Sequence, residues 1–233
     1  MAKAIIKEDY NIQVDKMANT VVKTASIVVY DTSYSTGANG AAKAIEDGIK
    51  TYLKALNEDS FASNSIDLAL MSFNHEYEKT LDFTPVKELS PKDVPTITPS
   101  GGTDMNLAVL EGLKELKNRE AYYKSNKIKF KSSWLFLITD GYSQEDITPA
   151  ATKTTKLINQ KNLTMIVVGA GTDVDTTELN KFDPVRPVIF SPSTSSIKEV
   201  FVWLSHVSIA VSKSNDGEKV TVKPLEAGCE FIG

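Results

Sequence analysis

The chain has 233 residues, 41% of them hydrophobic and 24% charged, with a formal net charge of -4 from 26 Lys and Arg against 30 Asp and Glu. These are ordinary globular values, and the length is enough to bury a core without disulfides or a structural metal. The mild acidity excludes a dedicated nucleic-acid binder, whose footprint is a basic patch. A single cysteine, Cys229, excludes an intrachain disulfide, and no reactive surroundings can be read around it.

Residues 1–9 hold no long apolar core of the kind a secretory signal needs. No apolar run approaches the roughly 18 residues needed to cross a bilayer. The cytoplasm is therefore the expected home, with no membrane partner.

Residues 25–30, Ala-Ser-Ile-Val-Val-Tyr, form an apolar β-branched run that stops at Asp31 and reads as a buried strand. A polar loop with Gly37 and Gly40 follows, and Ala41, Ile45, Ile49, Leu53 and Leu56 then recur at helical spacing. Residues 65–73 and 77–83 read as a strand and its hairpin partner. A long connection with four prolines runs over residues 84–103 and ends in Ser100-Gly101-Gly102-Thr103-Asp104. A loop of that length inside a compact unit is usually functional or disordered.

Leu107, Leu110, Leu113 and Leu116 mark the next helix. Residues 133–139 are a second buried strand ending at Asp140-Gly141. Helical spacing returns over 147–160, residues 163–168 are a third buried strand, and a short helix over 176–181 precedes a weaker strand over 185–190. Ile197, Val200, Phe201 and Leu204 place a last helix reaching about residue 211. Apolar strands alternating with helices predict an α/β fold: a doubly wound, mostly parallel sheet flanked by helices, with one antiparallel edge hairpin. The chain reads as one domain, with a core over about 25–211 and extensions at both ends; Asn215-Asp216-Gly217 is a turn signal in the second.

In open α/β sheets ligands bind at the carboxyl ends of the strands. Two buried strands here end in carboxylates, Asp31 and Asp140, and Ser33 and Ser35 follow the first. If the chain stays extended past Asp31, residues at steps of two point the same way. Each element alone is more often a helix cap or a turn. Three oxygen-rich loops in this order outweigh that reading.

Together, Asp-x-Ser-x-Ser at 31–35, Gly-Gly-Thr at 101–103 and Thr-Asp-Gly at 139–141 resemble the three parts of the metal-ion-dependent adhesion site (MIDAS) of von Willebrand factor A (vWA) domains. The resemblance spans about residues 25–211. Within the family it is most similar to bacterial intracellular members of the tellurium-resistance TerY type. It implies that Ser33, Ser35 and Thr103 coordinate a divalent cation through hydroxyls, with Asp31 and Asp140 acting directly or through water. It also implies a non-enzymatic protein-binding module in a tellurite or stress-response system. The departure from the family pattern is Tyr34, where many relatives carry glycine, followed by Thr36.

Five oxygen donors select hard cations, Mg²⁺ foremost with Ca²⁺ or Mn²⁺ as alternatives. His75 and His206 lie in no metal-ligand spacing, so no zinc site is expected. With two charged ligands, the ion stays electrophilic and open to an Asp or Glu of a protein partner. The alternative is a Mg²⁺-dependent hydrolase acting on phosphoesters, for which Asp104 and Glu145 are the nearest candidate bases. A third reading keeps the motif as loop structure only. No P-loop or Gly-x-Ser-x-Gly elbow is present, and Gly169-Ala170-Gly171 is only a fragment of a dinucleotide fingerprint. An aspartyl-phosphate enzyme would want a carboxylate where Ser33 stands.

Overall fold

The computed structural model describes residues 21–214 except 39, 141, 142, 172, 173, 184, 187 and 192, together with the backbone of 230–232. Gly141, Cys229, Asn215-Asp216-Gly217 and the first twenty residues lie outside that set.

Among the described residues seven strands form one sheet: β1 (Thr24–Asp31), β2 (Ile66–Phe73), β3 (Tyr77–Pro85), β4 (Ser133–Thr139), β5 (Leu163–Ala170), β6 (Val188–Ser191) and β7 (Glu230–Ile232). Their order is β3-β2-β1-β4-β5-β6-β7. Neighbours are parallel except at the two edges, where β3 pairs antiparallel with β2 and β7 with β6. The hairpin of β2 and β3 was expected; the second antiparallel edge was not, because β7 is a three-residue segment with no periodicity to read.

Among the described residues seven helices accompany the sheet: α1 (Tyr34–Ala38), α2 (Ala41–Glu58), α3 (Ser60–Ser65), α4 (Met105–Ser125), α5 (Thr148–Asn159), α6 (Thr176–Leu179) and α7 (Thr194–Lys213). Every residue of β1 and β4 is buried, as strands covered on both faces must be. Alternate side chains divide between two cores. Val28, Tyr30, Leu70, Phe136 and Ile138 pack with α2 and α7 on one face. Ile27, Val29, Met71, Leu135 and Leu137 pack with α4 and α5 on the other.

This arrangement creates a switch point. The connection after β1 leads to α2 on one face and onward to β2, whereas that after β4 leads to α5 on the opposite face and onward to β5. The two connections diverge at the carboxyl ends of adjacent strands, which is where ligands bind in this architecture. Asp31 and Asp140 sit at that divergence.

Two expectations are corrected. The chain does not stay extended after Asp31: Ser33 N donates to Asp31 Oδ1 at 2.7 Å and Thr36 Oγ1 to the Ser33 carbonyl at 2.7 Å, which turns it into α1. Asp and Ser side chains that bond their own backbone two or three residues away favour such turns. The 84–103 connection is also more ordered than a bare loop. It begins as the end of β3 and contains two short 3₁₀ turns, Val86–Glu88 and Pro91–Asp93; the second is held by a capping box from Ser90 to Asp93.

Helices α2 and α7 cross closely because α2 carries Gly48. A β-carbon there would lie 2.0 Å from a ring carbon of Phe201, which is fully buried. Alanine gains about 1 kcal/mol over glycine in helix propensity, but overpacking a filled core costs about 1–3 kcal/mol and more when the neighbour cannot swing away. Gly48→Ala is therefore expected to lower stability by about 1–2 kcal/mol net, read as a lower urea midpoint at unchanged slope. A wild-type midpoint would show that the two helices slide apart freely.

Candidate metal centre

Asp31 is the last residue of β1 and has no exposed surface. Its Oδ1 accepts the Ser33 amide, and its Oδ2 accepts the Thr139 hydroxyl at 2.6 Å. Adjacent parallel strands set that second contact: β1 and β4 run in register from Ser26 opposite Trp134 to Tyr30 opposite Ile138, so Thr139 falls beside Asp31. The Ser33 and Ser35 hydroxyls lie 3.0 Å apart, and Ser35 Oγ donates to Asp140 Oδ1 at 2.9 Å. Four of the five expected site residues thus form one continuous oxygen cluster.

Thr103 enters from a third loop. Tyr34 N donates to the Gly101 carbonyl at 3.2 Å, Ser100 N to the Thr32 carbonyl at 2.7 Å, and Gln144 N to the Thr103 carbonyl at 2.8 Å. The Gly-Gly-Thr segment is therefore stitched between the loop after β1 and the loop after β4, with Thr103 buried. Asp104 caps α4, its carboxylate accepting Leu107 N at 2.9 Å. Glu145 is exposed.

Gly101 is favoured by its backbone, and both glycines let exposed side chains from other loops lie close to the segment. Gly101 has φ +70°, and a β-carbon on it would lie 2.1 Å from His75 Nδ1; one on Gly102 would lie 2.1 Å from Gln144 Oε1. His75 and Gln144 thus shape the site from two other loops. Thr139 also orients Asp31. Sequence reasoning missed all three roles. Only Thr139, beside the motif aspartate, left a local signal; contacts between loops leave none.

The electrostatics are those of a carboxylate poorly compensated by protein. Burial pushes Asp31 up to about 6; the bonds from Ser33 and Thr139 oppose that rise, and the nearby Asp140 charge adds to it. No cationic side chain bonds to it among the described residues. Two carboxylates and three hydroxyls suit a hard dication, which would supply the missing positive charge. The described residues contain no cluster of three or more His, Cys, Asp or Glu that would suggest another metal centre.

A doubly wound sheet whose switch point gathers oxygen-bearing side chains after β1 and β4, with a third loop stitched between them, defines a class of α/β domain built to bind at its strand ends. The model of the von Willebrand factor type A domain matches residues 27–202, and the chain belongs to that family. Among solved structures, it is similar to a von Willebrand factor type A protein from Catenulispora acidiphila, at 16% identity and TM-score 0.59, covering 81% of this chain and 43% of that one. Proximal thread matrix protein 1 of the mussel byssus, solved with a zinc-occupied MIDAS motif, is 20% identical with TM-score 0.62, over 81% and 48% of the two chains. The manganese-loaded TRAP protein of Plasmodium vivax is 18% identical with TM-score 0.58, over 78% and 73%. The chain spans less than half the length of the first two of these structures. No curated protein sequence matches it.

Proposed function

We propose that this chain is a divalent-cation-dependent protein-binding module. In this reading Asp31, Ser33, Ser35, Thr103 and Asp140 hold Mg²⁺ at the switch point, and an Asp or Glu of a protein partner completes its coordination. The observation that carries it is the oxygen cluster itself. Ser33, Ser35 and Asp140 are linked at 3.0 and 2.9 Å around a buried carboxylate that has no cationic partner among the described residues. The zinc-occupied MIDAS motif of the mussel byssus protein and the manganese of the Plasmodium vivax TRAP protein support a divalent cation; the all-oxygen donor set favours Mg²⁺.

Binding is better supported than phosphoester hydrolysis. Of the two candidate bases, Asp104 is committed to capping α4 and Glu145 is exposed. In this reading the module works in the cytoplasm, and a stress-response role of the TerY type follows from the sequence resemblance.

The test is a thermal melt of wild type and Asp31→Ala in Mg²⁺, Mn²⁺ and chelator. A ligand at 100-fold over its Kd stabilises by about 2.7 kcal/mol, which is about 5–10 °C at this size. The expected result is a rise in wild type that the variant lacks. Equal melts in cation and chelator would remove the metal reading, and phosphoester turnover lost in Asp31→Ala would replace binding by catalysis.

A further inference from the structure

Beside the metal loops lies a cavity of about 410 Å³ between β2, β3 and residues 95–100. Its floor is a row across three strands. Tyr30 pairs with Ser72 and Ser72 with Glu78, so the three side chains share one face of the sheet. The short Ser72 between two long side chains leaves the hollow. Thr80, two residues beyond Glu78, meets the Tyr30 hydroxyl at 3.0 Å.

The roof is anchored. Glu46 of α2, buried and held by Lys43 and Lys50, accepts Ile97 N at 3.2 Å. At the other end Ser100 N bonds the Thr32 carbonyl at 2.7 Å. Thr32 stands between Asp31 and Ser33, and Ser100 leads straight into Gly101–Gly102–Thr103. Cavity and candidate metal centre therefore share walls, and one ligand can engage both.

The chemistry of the walls selects the occupant. Glu76 and Glu78 line the cavity, are exposed, and form no ion pair among the described residues. No Lys or Arg lies among the described lining residues. Tyr77, Pro95 and Ile97 add apolar surface for an alkyl stem. A long basic side chain buries its methylenes on such surface and keeps its charged head at the acidic mouth. An acidic occupant would meet like charge, and a purely apolar one would leave the glutamates and hydroxyls unpaired.

We propose that the cavity receives a Lys or Arg side chain of the same partner whose Asp or Glu takes the metal. This rests on the metal-dependent reading above, and it narrows the partner to one that presents a basic residue near its acidic one.

The test uses the full chain in saturating Mg²⁺ and two series of capped peptides. Each peptide carries one Glu and one Lys separated by zero to four glycines; the control series has norleucine in place of Lys. At one or two spacings the Lys peptide is expected to bind about fivefold more tightly, the upper range for a partly exposed ion pair, and Glu76→Gln/Glu78→Gln is expected to abolish that preference. Equal binding of both series, lost in chelator, would overturn the cavity assignment and leave the metal site standing. If neither series binds, the melts in cation and chelator decide the metal reading separately, and n-propylguanidinium decides the cavity by itself. Amide shifts at Thr80 and Ile97 in wild type but not in the double variant would uphold it. Their absence in wild type would overturn it.

Discussion

Asp67→Asn is expected to cost about 3 kcal/mol, the lower end of the range for breaking a buried ion pair, and to lower the melting temperature by about 10 °C. Asp67 is the second residue of β2 and is 1% exposed. Its Oδ2 accepts Arg119 and the Tyr123 hydroxyl at 2.6 Å each, and its Oδ1 accepts Lys23 at 2.9 Å. The Arg119 guanidinium stacks 4.6 Å from the Tyr122 ring and 5.1 Å from that of Tyr123. Removing the carboxylate charge leaves two cations and a phenol facing a neutral amide. The lower end of the range applies because Arg119 and Lys23 are partly exposed and can turn toward water.

Burial works against the Asp67 charge, but Tyr123, Arg119 and Lys23 more than offset it and hold the carboxyl below the usual carboxylate range. A depressed folded value means stability that is present above the unfolded value, near 4, and lost as pH falls through the folded one. The wild type should therefore lose its advantage over Asp67→Asn only in acid. Urea melts of both proteins at neutral pH and in acid check this. Superimposed neutral melts would mean that the cluster contributes no more than a surface pair.

The opposite sign is expected of Asp31→Asn. In chelator at about pH 8 the variant should be more stable than wild type by about 2–3 kcal/mol, the linkage value of a carboxylate raised by about two pKa units. Burial lifts Asp31 to about 6 from 3.8. Because the folded value is the higher, its contribution is complete below about 4 and disappears as pH rises to about 6. Wild type should thus lose stability across that window relative to the variant, with a constant gap above it. Asparagine can still accept the Ser33 amide and carries no charge to bury. Saturating Mg²⁺ should reverse the order, stabilising wild type alone. A variant less stable than wild type in chelator at about pH 8 would show that the charge serves the fold.

These two aspartates lie at opposite ends of adjacent strands, about 20 Å apart by strand rise. Both are fully buried. One is neutralised by protein cations and the other is not. A buried carboxylate left without a cation among the described residues is the mark of a site whose compensation comes from outside, and that contrast separates the candidate functional end of the sheet from the structural one.

Much of this was legible in the chain alone. The hydrophobic runs ending at Asp31 and at Thr139-Asp140 located the central strands, because a strand covered on both faces must be apolar throughout. The Asp-x-Ser-x-Ser, Gly-Gly-Thr and Thr-Asp-Gly motifs named the loops that meet at the candidate site. Periodicity could not find α1 or α3, which are too short, or β7, whose pairing is with a distant strand. It also suggested an extended path past Asp31, whereas a local side-chain bond to the Ser33 amide turns the chain into a helix.

Tertiary structure alone decided how the loops meet. Strand order brought Asp140 to the hydroxyl of Ser35, 105 residues earlier in the chain, and set Thr139 against Asp31. It also placed a serine between Tyr30 and Glu78, opening a cavity beside the candidate metal centre. The physical reason is range. Hydrophobic period and turn chemistry act over a few residues and are written in sequence. Burial, shared charge and the space between loops depend on which distant segments become neighbours, and only the folded sheet determines that.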